Sequence, residues 1–180
     1  MAGIIKFDQL QSPSSSTIGM TLDSSGRVNF PNQPKFVATI TGSQTYTVNN
    51  ATQIMSFNQT LYDVNNNYNV SNYAFTAPIS GYYIFFWNLY FYNYTPSAGG
   101  PFDVFLQKNG TYITRTSVGA QPSSGANPET MSAQTMLQLS TGDYVKFGVA
   151  LYGSGTATLY KDGSYLTAPS TSHWGGYLLG

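Results

Sequence analysis

The chain has 180 residues, with seven Lys and Arg against seven Asp and Glu, so its formal net charge is zero and only 8% of its residues are charged. Charge this sparse and balanced argues against the basic surface that sequence-independent nucleic-acid binding needs. The absence of cysteine excludes disulfides, thiolate metal sites and cysteine nucleophiles. Aromatic residues make up 16% of the chain, enough for a folded core, and we expect one domain with a small appendage.

The first residues, Met1–Asp8, contain no apolar stretch of the kind that a secretory signal needs. Nowhere in the sequence do about 18 apolar residues follow one another, as a membrane-spanning helix would require. We therefore expect a protein that is made in the cytoplasm, or exported by another route, and that does not insert into a membrane.

Residues 1–33 differ from the rest of the sequence. A linker-like Ser-Pro-Ser-Ser-Ser run is followed by Gly19–Leu22, which the turn Asp23–Gly26 joins to Arg27–Phe30 in a small predicted hairpin. A hairpin of this size is not stable alone in water, so it must pack on the main domain, on other copies or on a separate partner. We therefore expect an N-terminal anchor or linker, residues 1–33, followed by one domain, residues 34–180.

An asparagine-rich stretch predicts an exposed loop. It reads Asn65-Asn66-Asn67-Tyr68-Asn69, and Ser97–Pro101 and Gln121–Asn127 have a similar loop-like composition. Loops carry binding residues disproportionately often. On this basis the candidate contact residues are Asn65, Asn66, Asn67, Tyr68 and Asn127.

The run Tyr82–Tyr92 predicts a strand with large side chains on both faces. One face would carry Tyr83, Phe85, Trp87, Leu89 and Phe91, and the other Tyr82, Ile84, Phe86, Tyr90 and Tyr92. The core of a β-sandwich covers only one face of a strand. A second layer or a neighbouring subunit must therefore cover the other face, since an exposed aromatic stripe would aggregate. Self-association is the simplest interpretation.

Turn signals divide the second half of the sequence into short strands. The turns Asn109-Gly110, Thr141–Asp143 and Asp162-Gly163 supply the positive φ that tight hairpins need. The segment Tyr144–Tyr152 alternates, and its apolar face consists of Val145, Phe147, Val149 and Leu151. Helix formers are scarce and no helical periodicity occurs. The pattern predicts an all-β sandwich or jelly roll.

Eight residues between Phe57 and Trp87 occur in a pattern of types and spacings that resembles the signature of the C1q-like globular head. The matched residues are Phe57, Asp63, Tyr68, Phe75, Gly81, Tyr83, Phe85 and Trp87. Trp87 departs from the family pattern, which has Phe or Tyr there. Pro34–Ala38, Leu139–Val145 and Trp174–Leu179 resemble the family as well. In physical terms, Gly81 would form the turn that enters the most buried strand, and the aromatic residues after it would fill one layer of the core.

The resemblance covers about residues 34–180 and implies a ten-strand jelly-roll β-sandwich of the C1q and tumour necrosis factor type. It also implies a homotrimer, in which sister subunits cover the second aromatic face, and a protein that binds through its loops and exposed apex. Some C1q-like trimers hold calcium, so an ion on the threefold axis is allowed. We assign no residue to it, because the sequence has no Asp-x-Asp cluster, and we expect no other cofactor.

The sequence offers no catalytic constellation. No Gly-x-Ser-x-Gly elbow accompanies His173, the one histidine, and we interpret it as a structural or surface residue. Tyrosine-rich patches at residues 68–73 and 90–94 could offer platforms for sugars, but core and interface roles are the favoured interpretation. Glycoside hydrolysis needs two carboxyl groups that face each other. The acidic residues lie in separate strands or turns: Asp103, Glu129, Asp143 and Asp162. We therefore predict that the protein is not an enzyme.

The run Gly19–Pro34 is similar to the lead-in of phage or algal-virus structural proteins that carry a C1q-like tip. We therefore predict a viral structural protein, of a bacteriophage in the first instance, that serves as a trimeric tail fibre or capsid decoration on the virion. Residues 1–33 would bind other virion proteins, and the head would attach to a glycan or protein of the host surface. The alternatives are a free secreted C1q-like lectin or adhesion module and a polysaccharide depolymerase.

Overall fold

The computed structural model of the chain describes residues 7–94, 101–119, 127–161 and 172–179. The chain divides into two compact units, Met1–Gln33 and Pro34–Gly180. The described residues form sixteen strands and no helix, so none of them belongs to a helix that could cross a membrane. The prediction of an all-β fold is confirmed.

The first unit contains a small three-stranded antiparallel sheet. Its strands, in spatial order, are β1 (Gln9–Gln11), β2 (Ile18–Leu22) and β3 (Val28–Asn29). The Asp23 carboxylate closes the turn between β2 and β3: it accepts hydrogen bonds from the N–H groups of Ser25 and Arg27, both at 2.9 Å, and pairs with the Arg27 guanidinium at 2.6 Å. The predicted hairpin is confirmed, and β1 adds a strand that the sequence did not predict.

Much of the apolar surface of this first unit is exposed. Leu10, Val28 and Phe30 are each at least half exposed. A sheet with strands of two to five residues buries too little apolar area to be stable alone. The described part of this unit therefore lacks a core of its own.

The second unit is a sandwich of two antiparallel sheets. Its strands are β4 (Lys35–Thr39), β5 (Gln44–Thr47), β6 (Thr52–Ile54), β7 (Gln59–Asp63), β8 (Tyr68–Asn69), β9 (Ala74–Thr76), β10 (Gly81–Tyr94), β11 (Pro101–Lys108), β12 (Thr111–Gly119), β13 (Asn127–Leu139), β14 (Tyr144–Leu151), β15 (Thr156–Leu159) and β16 (His173–Leu178). The seven-stranded sheet has the order β5-β15-β10-β16-β4-β7, with β13 also paired to β10. The six-stranded sheet has the order β12-β11-β14-β9-β8, with β6 also paired to β14.

Two of the three predicted turns lie among the described residues, and both are confirmed. Asn109 and Gly110 have φ angles of 49° and 86° and join β11 to β12, and Gly142, with a φ of 88°, leads into β14. Asparagine and glycine adopt this left-handed conformation more readily than other residues do. The third turn, Asp162-Gly163, lies outside the described residues.

The core lies between the two sheets and is largely aromatic. The side chains of β10 that enter it are at most 3% exposed: Tyr83, Phe85, Trp87, Leu89 and Phe91. On the facing sheet, β14 contributes Val145, Phe147, Val149 and Leu151. Both predicted strands are confirmed; β14 ends one residue before the predicted Tyr152, whereas β10 extends beyond Tyr82–Tyr92 at both ends.

Trp174 on β16 connects the two halves of this core. It is fully buried, and its ring stands edge-on to Phe36 at 4.9 Å between ring centroids. Its ring also lies 6.1 Å from Phe85 and 5.6 Å from Phe147 of the other sheet. Aromatic pairs of this kind add about 0.5–1.5 kcal/mol beyond the area that they bury. Their packing fixes which side of each strand faces outward.

Candidate functional site

The residues of the C1q-like signature lie in the core or support it, rather than on a binding surface. The buried members are at most 5% exposed: Phe57, Tyr68, Phe75, Tyr83, Phe85 and Trp87. The two small or polar members, Asp63 and Gly81, have separate structural roles. The signature therefore positions the strands and leaves ligand contacts to other residues.

Asp63 organises the turn that follows β7. Its two carboxylate oxygens accept hydrogen bonds from the N–H groups of Asn67 at 3.0 Å and Tyr68 at 2.8 Å. Within this turn, Asn65 and Asn66 have φ angles of 66° and 54°, which asparagine tolerates better than most residues. Backbone geometry therefore accounts for the asparagine run.

Gly81 is the first residue of β10 and does not have a positive φ, so it belongs to the strand and not to the turn that the sequence predicted there. A Cβ atom at this position would lie 2.6 Å from Cδ1 of Leu178 on the neighbouring strand β16. A larger residue would therefore have to displace this methyl group of Leu178, and the backbone conformation itself makes no demand for glycine.

Three of the predicted contact residues form the tip of the Asp63 turn. Asn65 and Asn66 are exposed, whereas Asn67 is half-buried and its side-chain amide donates to the carbonyl oxygen of Val64 at 2.7 Å. The turn thus brings two exposed amides together at the surface. Their role as ligand contacts stays a prediction.

The prediction that Tyr68 is an exposed contact residue is wrong. Its hydroxyl donates to the carbonyl oxygen of Phe57 at 2.8 Å, and its ring stacks on Phe36 with centroids 5.1 Å apart. Desolvation by this burial raises the pKa of the Tyr68 hydroxyl. The polar neighbours of Tyr68 in the sequence concealed a core residue.

Asn127 does not lie in a loop, as the sequence predicted, but begins β13. Its backbone pairs with Tyr94 after a register shift, because the long strand β10 extends the ladder to this point. Its side chain lies outside the described residues, as do residues 121–126 of the same predicted loop. Residues 97–100 of the other predicted loop also lie outside them, and Pro101 begins β11.

The outward side of the seven-stranded sheet forms a broad apolar surface, which we call the aromatic face. Its residues are Tyr62 on β7, Tyr82, Ile84, Phe86 and Tyr90 on β10, Met136 on β13, and Tyr177 on β16. Tyr62, Tyr82 and Met136 are 51%, 49% and 54% exposed. As the sequence predicted, the core covers one side of β10 and leaves large side chains on the other.

The antiparallel register arranges these side chains in rows across the sheet. One row consists of Gln134, Phe86, Gly175, Val37 and Tyr62, and the next of Met136, Ile84, Tyr177 and Lys35. In these two rows, Lys35 is the one charged residue. Such rows can be buried against another protein with little desolvation of charge.

Two adjacent glycines allow aromatic rings to lie on both sides of β16. A Cβ atom at Gly175 would lie 2.8 Å from Cζ of Phe86 and 2.5 Å from the carbonyl oxygen of Phe36. A Cβ atom at Gly176 would lie 2.7 Å from Cδ1 of Phe85. This role was not predicted from the sequence, although a glycine pair inside an aromatic strand is a signal for close packing of this kind.

His173 lies at the border of the aromatic face. Its register partners are Asn88 on β10 and Thr39 on β4, and its ring meets Phe86 edge-on with centroids 6.4 Å apart. The residue is half-buried. This placement agrees with the structural or surface role that the sequence predicted.

Asp103 and Asp143 are too far apart to act as a pair of catalytic carboxyl groups. Asp103 is buried and pairs with Nη2 of Arg115 at 2.7 Å, and Asp143 pairs with Nζ of Lys108 at 2.8 Å. The register partner of Asp103 is Ala150, which lies seven residues after Asp143, or about 23 Å along a strand. Glycoside hydrolysis needs a separation below about 10 Å.

In the described parts of the chain, no three His, Asp or Glu side chains come close enough together to hold a metal ion. The side chain of Glu129 and the whole of Asp162 lie outside the described residues. A calcium ion on a threefold axis, which the family resemblance allows, therefore has no ligand assigned to it.

Comparison with known proteins shows which family and which solved structures this chain is similar to. The family model described as the C1q domain matches residues 35–179, whereas no curated protein matches the chain. The globular domain of zebrafish complement 1qA protein is 16% identical, with a TM-score of 0.51 over 82% of this chain and 98% of that chain. Murine APRIL at pH 5.0 is 10% identical, with a TM-score of 0.56 over 82% and 99%. Eiger TNF from S. frugiperda is 14% identical, with a TM-score of 0.53 over 82% and 91%. The predicted C1q and tumour necrosis factor type of sandwich is confirmed.

Proposed function

The chain belongs to the C1q domain family, and from this premise we propose that it is a homotrimeric binding protein whose subunits pack through the aromatic face. Domains of this family are typically trimeric and non-enzymatic. The observation that carries the proposal is the aromatic face itself, where Tyr62, Tyr82 and Met136 are each about half exposed. Contiguous exposed apolar surfaces of soluble proteins mark interaction sites.

The chemistry of the aromatic face suits a protein partner. Tyrosine, phenylalanine and methionine are enriched in protein interfaces, and charged residues are depleted at interface centres. A closed ring with threefold symmetry covers the same surface on every copy at once. Three identical chains can therefore remove this apolar area from water without a second kind of subunit.

We assign the first unit, Met1–Gln33, to attachment. Its small sheet exposes Leu10, Val28 and Phe30, which supports a role in binding another protein. In the proposed assembly that protein is a structural component of a virus particle. The similarity of Gly19–Pro34 to the lead-in of viral structural proteins supports this assignment.

The proposed location of the trimer is the surface of a virion, and the proposed virus is a bacteriophage. There it would serve as a tail fibre or a capsid decoration and would bind a glycan or protein of the host surface. The chain would be made in the host cytoplasm and carried on the released particle. The distance between Asp103 and Asp143 supports a binding role over hydrolysis of a polysaccharide.

Two measurements test this function. Static light scattering at micromolar concentration should give three times the chain mass of 19.6 kDa, and a monomer mass would contradict the trimer. Gold-labelled antibody against the chain should decorate purified particles of the virus. Particles that lack the chain would contradict the virion role and leave the trimer standing.

The second candidate function is that of a free secreted lectin or adhesion module. The likeness to the globular domain of a complement protein favours it, and it requires the same trimer. The two functions differ in where the chain accumulates. A chain recovered from particle-free culture medium, and not from particles, would favour the secreted module.

A further inference from the structure

A half-enclosed cavity lies on the outward side of the six-stranded sheet, on the opposite side of the sandwich from the aromatic face. Its volume is about 300 Å³. Its lining residues are Asn72, Ala74, Thr76, Tyr144 and Lys146. The pairing of β9 with β14 builds it, because Tyr144 is the register partner of Thr76 and Lys146 that of Ala74. We call it the β9–β14 cavity.

The polar side chains of the β9–β14 cavity are all able to donate hydrogen bonds. Oδ1 of Asn72 accepts a hydrogen bond from the N–H of Ala74 at 3.2 Å, and its NH₂ group can donate two hydrogen bonds to a ligand. The Lys146 ammonium can only donate, and the hydroxyls of Thr76 and Tyr144 can donate or accept. No lining residue is a carboxylate.

Lys146 brings a positive charge to this cavity. Its Nζ lies 5.9 Å from the centre of the Tyr144 ring, and within the described residues no carboxylate lies at ion-pair distance from it. Asp143, three residues before Lys146 in the chain, is paired with Lys108 at 2.8 Å. The cavity therefore combines a cation with several hydrogen-bond donors, which suits an anion rich in acceptor oxygens.

The backbone beside the cavity has an uncommon conformation. Tyr73, between Asn72 and Ala74, has a φ of 59°, which is rare for a bulky residue. The hydrogen bond from Ala74 to Asn72 and the pairing of β8 with β9 hold the chain in this form. Asn72 is thereby fixed beside β14 before any ligand arrives, which lowers the entropic cost of binding.

We infer that the β9–β14 cavity binds a carboxylate-bearing sugar of an acidic saccharide, such as a hexuronic or sialic acid residue. The inference rests on the proposed function, since it names the class of host-surface ligand that the trimer binds. Lys146 meets the carboxylate, and the Asn72 amide and Thr76 hydroxyl donate to carboxylate or hydroxyl oxygens of the sugar. The Tyr144 ring and the Ala74 methyl group form an apolar wall for the C–H face of the sugar.

This donor set favours an acidic sugar over the other ligand classes. A neutral sugar would leave the Lys146 charge without an anionic partner, and an acidic peptide would supply the charge without a ring of hydroxyl groups. We expect a half-enclosed site of this size to bind one sugar weakly. Three such sites on one trimer strengthen attachment to a polymer by multivalency.

The test is an NMR titration of the ¹⁵N-labelled full chain with the methyl glycosides of glucuronic, galacturonic and N-acetylneuraminic acid. We expect shifts of the Ala74, Thr76 and Lys146 amides that weaken at high salt. The neutral methyl glucoside and galactoside should bind about tenfold or more weakly, because they lack the charge-assisted hydrogen bond. Equal binding of acidic and neutral sugars would overturn the inference.

Two variants with matched controls locate the binding. Asn72→Asp keeps the oxygen that accepts from Ala74 and replaces the NH₂ group by an anionic oxygen; Asn49→Asp makes the same change where Oδ1 accepts from the N–H of Ala51 at 3.1 Å. We expect Asn72→Asp to weaken binding about tenfold or more and Asn49→Asp to have no effect.

Lys146→Gln removes the positive charge of the cavity. The control variant, Lys161→Gln, removes the charge of a lysine whose ammonium group donates to the carbonyl oxygen of Thr41. Lys146→Gln should weaken binding as Asn72→Asp does, and it keeps the test decisive if Asn72→Asp does not fold. Undiminished binding by Lys146→Gln would overturn the inference.

Competing ligands and the oligomeric state complete the test. If acetate, sulfate or an acidic peptide binds as tightly as the acidic sugars, the site is not a sugar site and the inference is wrong. Light scattering on the same samples separates the two hypotheses. A trimer that binds no acidic sugar overturns the cavity inference alone, whereas a monomer mass overturns the trimer.

Discussion

The two sheets of the sandwich have similar inner sides and very different outer sides. Inside, Phe85 of β10 and Phe147 of β14 are both buried by the same two-residue alternation. Outside, the seven-stranded sheet carries Tyr82, Ile84 and Phe86, whereas the six-stranded sheet carries the Asp103–Arg115 ion pair and Lys146. In β10 and β14 the two-residue alternation decides which side chains enter the core, and the outward residues decide what each sheet can bind.

This difference assigns the two outer sides to different partners. Large apolar side chains gain most from permanent burial, so the aromatic face suits the subunit contacts of the proposed trimer. Charged and hydroxyl side chains stay hydrated until a ligand replaces water, so the β9–β14 cavity suits a reversible contact. The following variants change one outer or inner side at a time.

The largest effect is expected for a charge placed on the aromatic face. Ile84→Glu would bury three unpaired carboxylates in the trimer, each with a desolvation cost of several kcal/mol. We expect the variant to be a monomer in light scattering. Ile113→Glu makes the same change on an exposed residue of β12 and should stay trimeric. A trimeric Ile84→Glu protein would show that another surface joins the subunits.

The second effect concerns the inner side of β10. Phe85→Ala should lower the free energy of unfolding by about 3–5 kcal/mol, because it leaves a cavity in the core. Phe105→Ala removes an outward ring of the six-stranded sheet that contacts Tyr112, and it should cost about 1 kcal/mol. Urea denaturation of both variants measures the difference, and equal losses would contradict the assignment of inner and outer sides.

A smaller effect is expected for Gly175. In Gly175→Ala the new Cβ atom would press on the Phe36 carbonyl oxygen and the Phe86 ring, and we expect a loss of about 1–3 kcal/mol in urea denaturation. In Gly42→Ala, the control, the Cβ atom would meet nothing within 4 Å. If the two variants are equally stable, β16 does not need a glycine on the aromatic face.

The smallest effect concerns the exposed end of the six-stranded sheet. The Lys108 side chain first, and then the Ser140 N–H and the Asn109 amide, lower the pKa of Asp143 from the usual 3.8 to about 2. The folded pKa lies below the unfolded one, so this carboxylate stabilises the fold above about pH 4. The contribution is lost as the pH falls from about 4 to about 2. Asp143→Asn should therefore lower the Tm slightly at pH 6 and not at pH 2.

Local periodicity explains how much of the fold the sequence could predict. The alternation of Val145 and Phe147 with polar or small residues needs no knowledge of distant strands, and it correctly placed β14. Tyr68 was misplaced for the same reason: its asparagine neighbours are local, while its contact with Phe36 comes from a strand about thirty residues earlier. Sequence periodicity does not report such a contact.

The candidate sites were harder to predict from the sequence than the strands, because they depend on the register in which the strands pair. Asn72 and Lys146 are over seventy residues apart in the chain and meet only because β9 pairs with β14 in one alignment. The aromatic face was predictable in part, since the outward residues of β10 alternate in a single run. Its extension across Tyr177 and Tyr62 depends on the strand order of the whole sheet. Strand order and register are properties of the tertiary fold.

The position of β16 has a consequence for how the protein is made. It is the last described strand in chain order, yet it lies between β4 and β10 in the middle of its sheet. A ribosome therefore releases Lys35–Thr39 and Gly81–Tyr94 long before it synthesises their shared neighbour, His173–Leu178. During this delay the nascent chain presents open strand edges, which favour aggregation and call for chaperones. β4 and β10 can therefore pair with β16 only after translation has passed this segment.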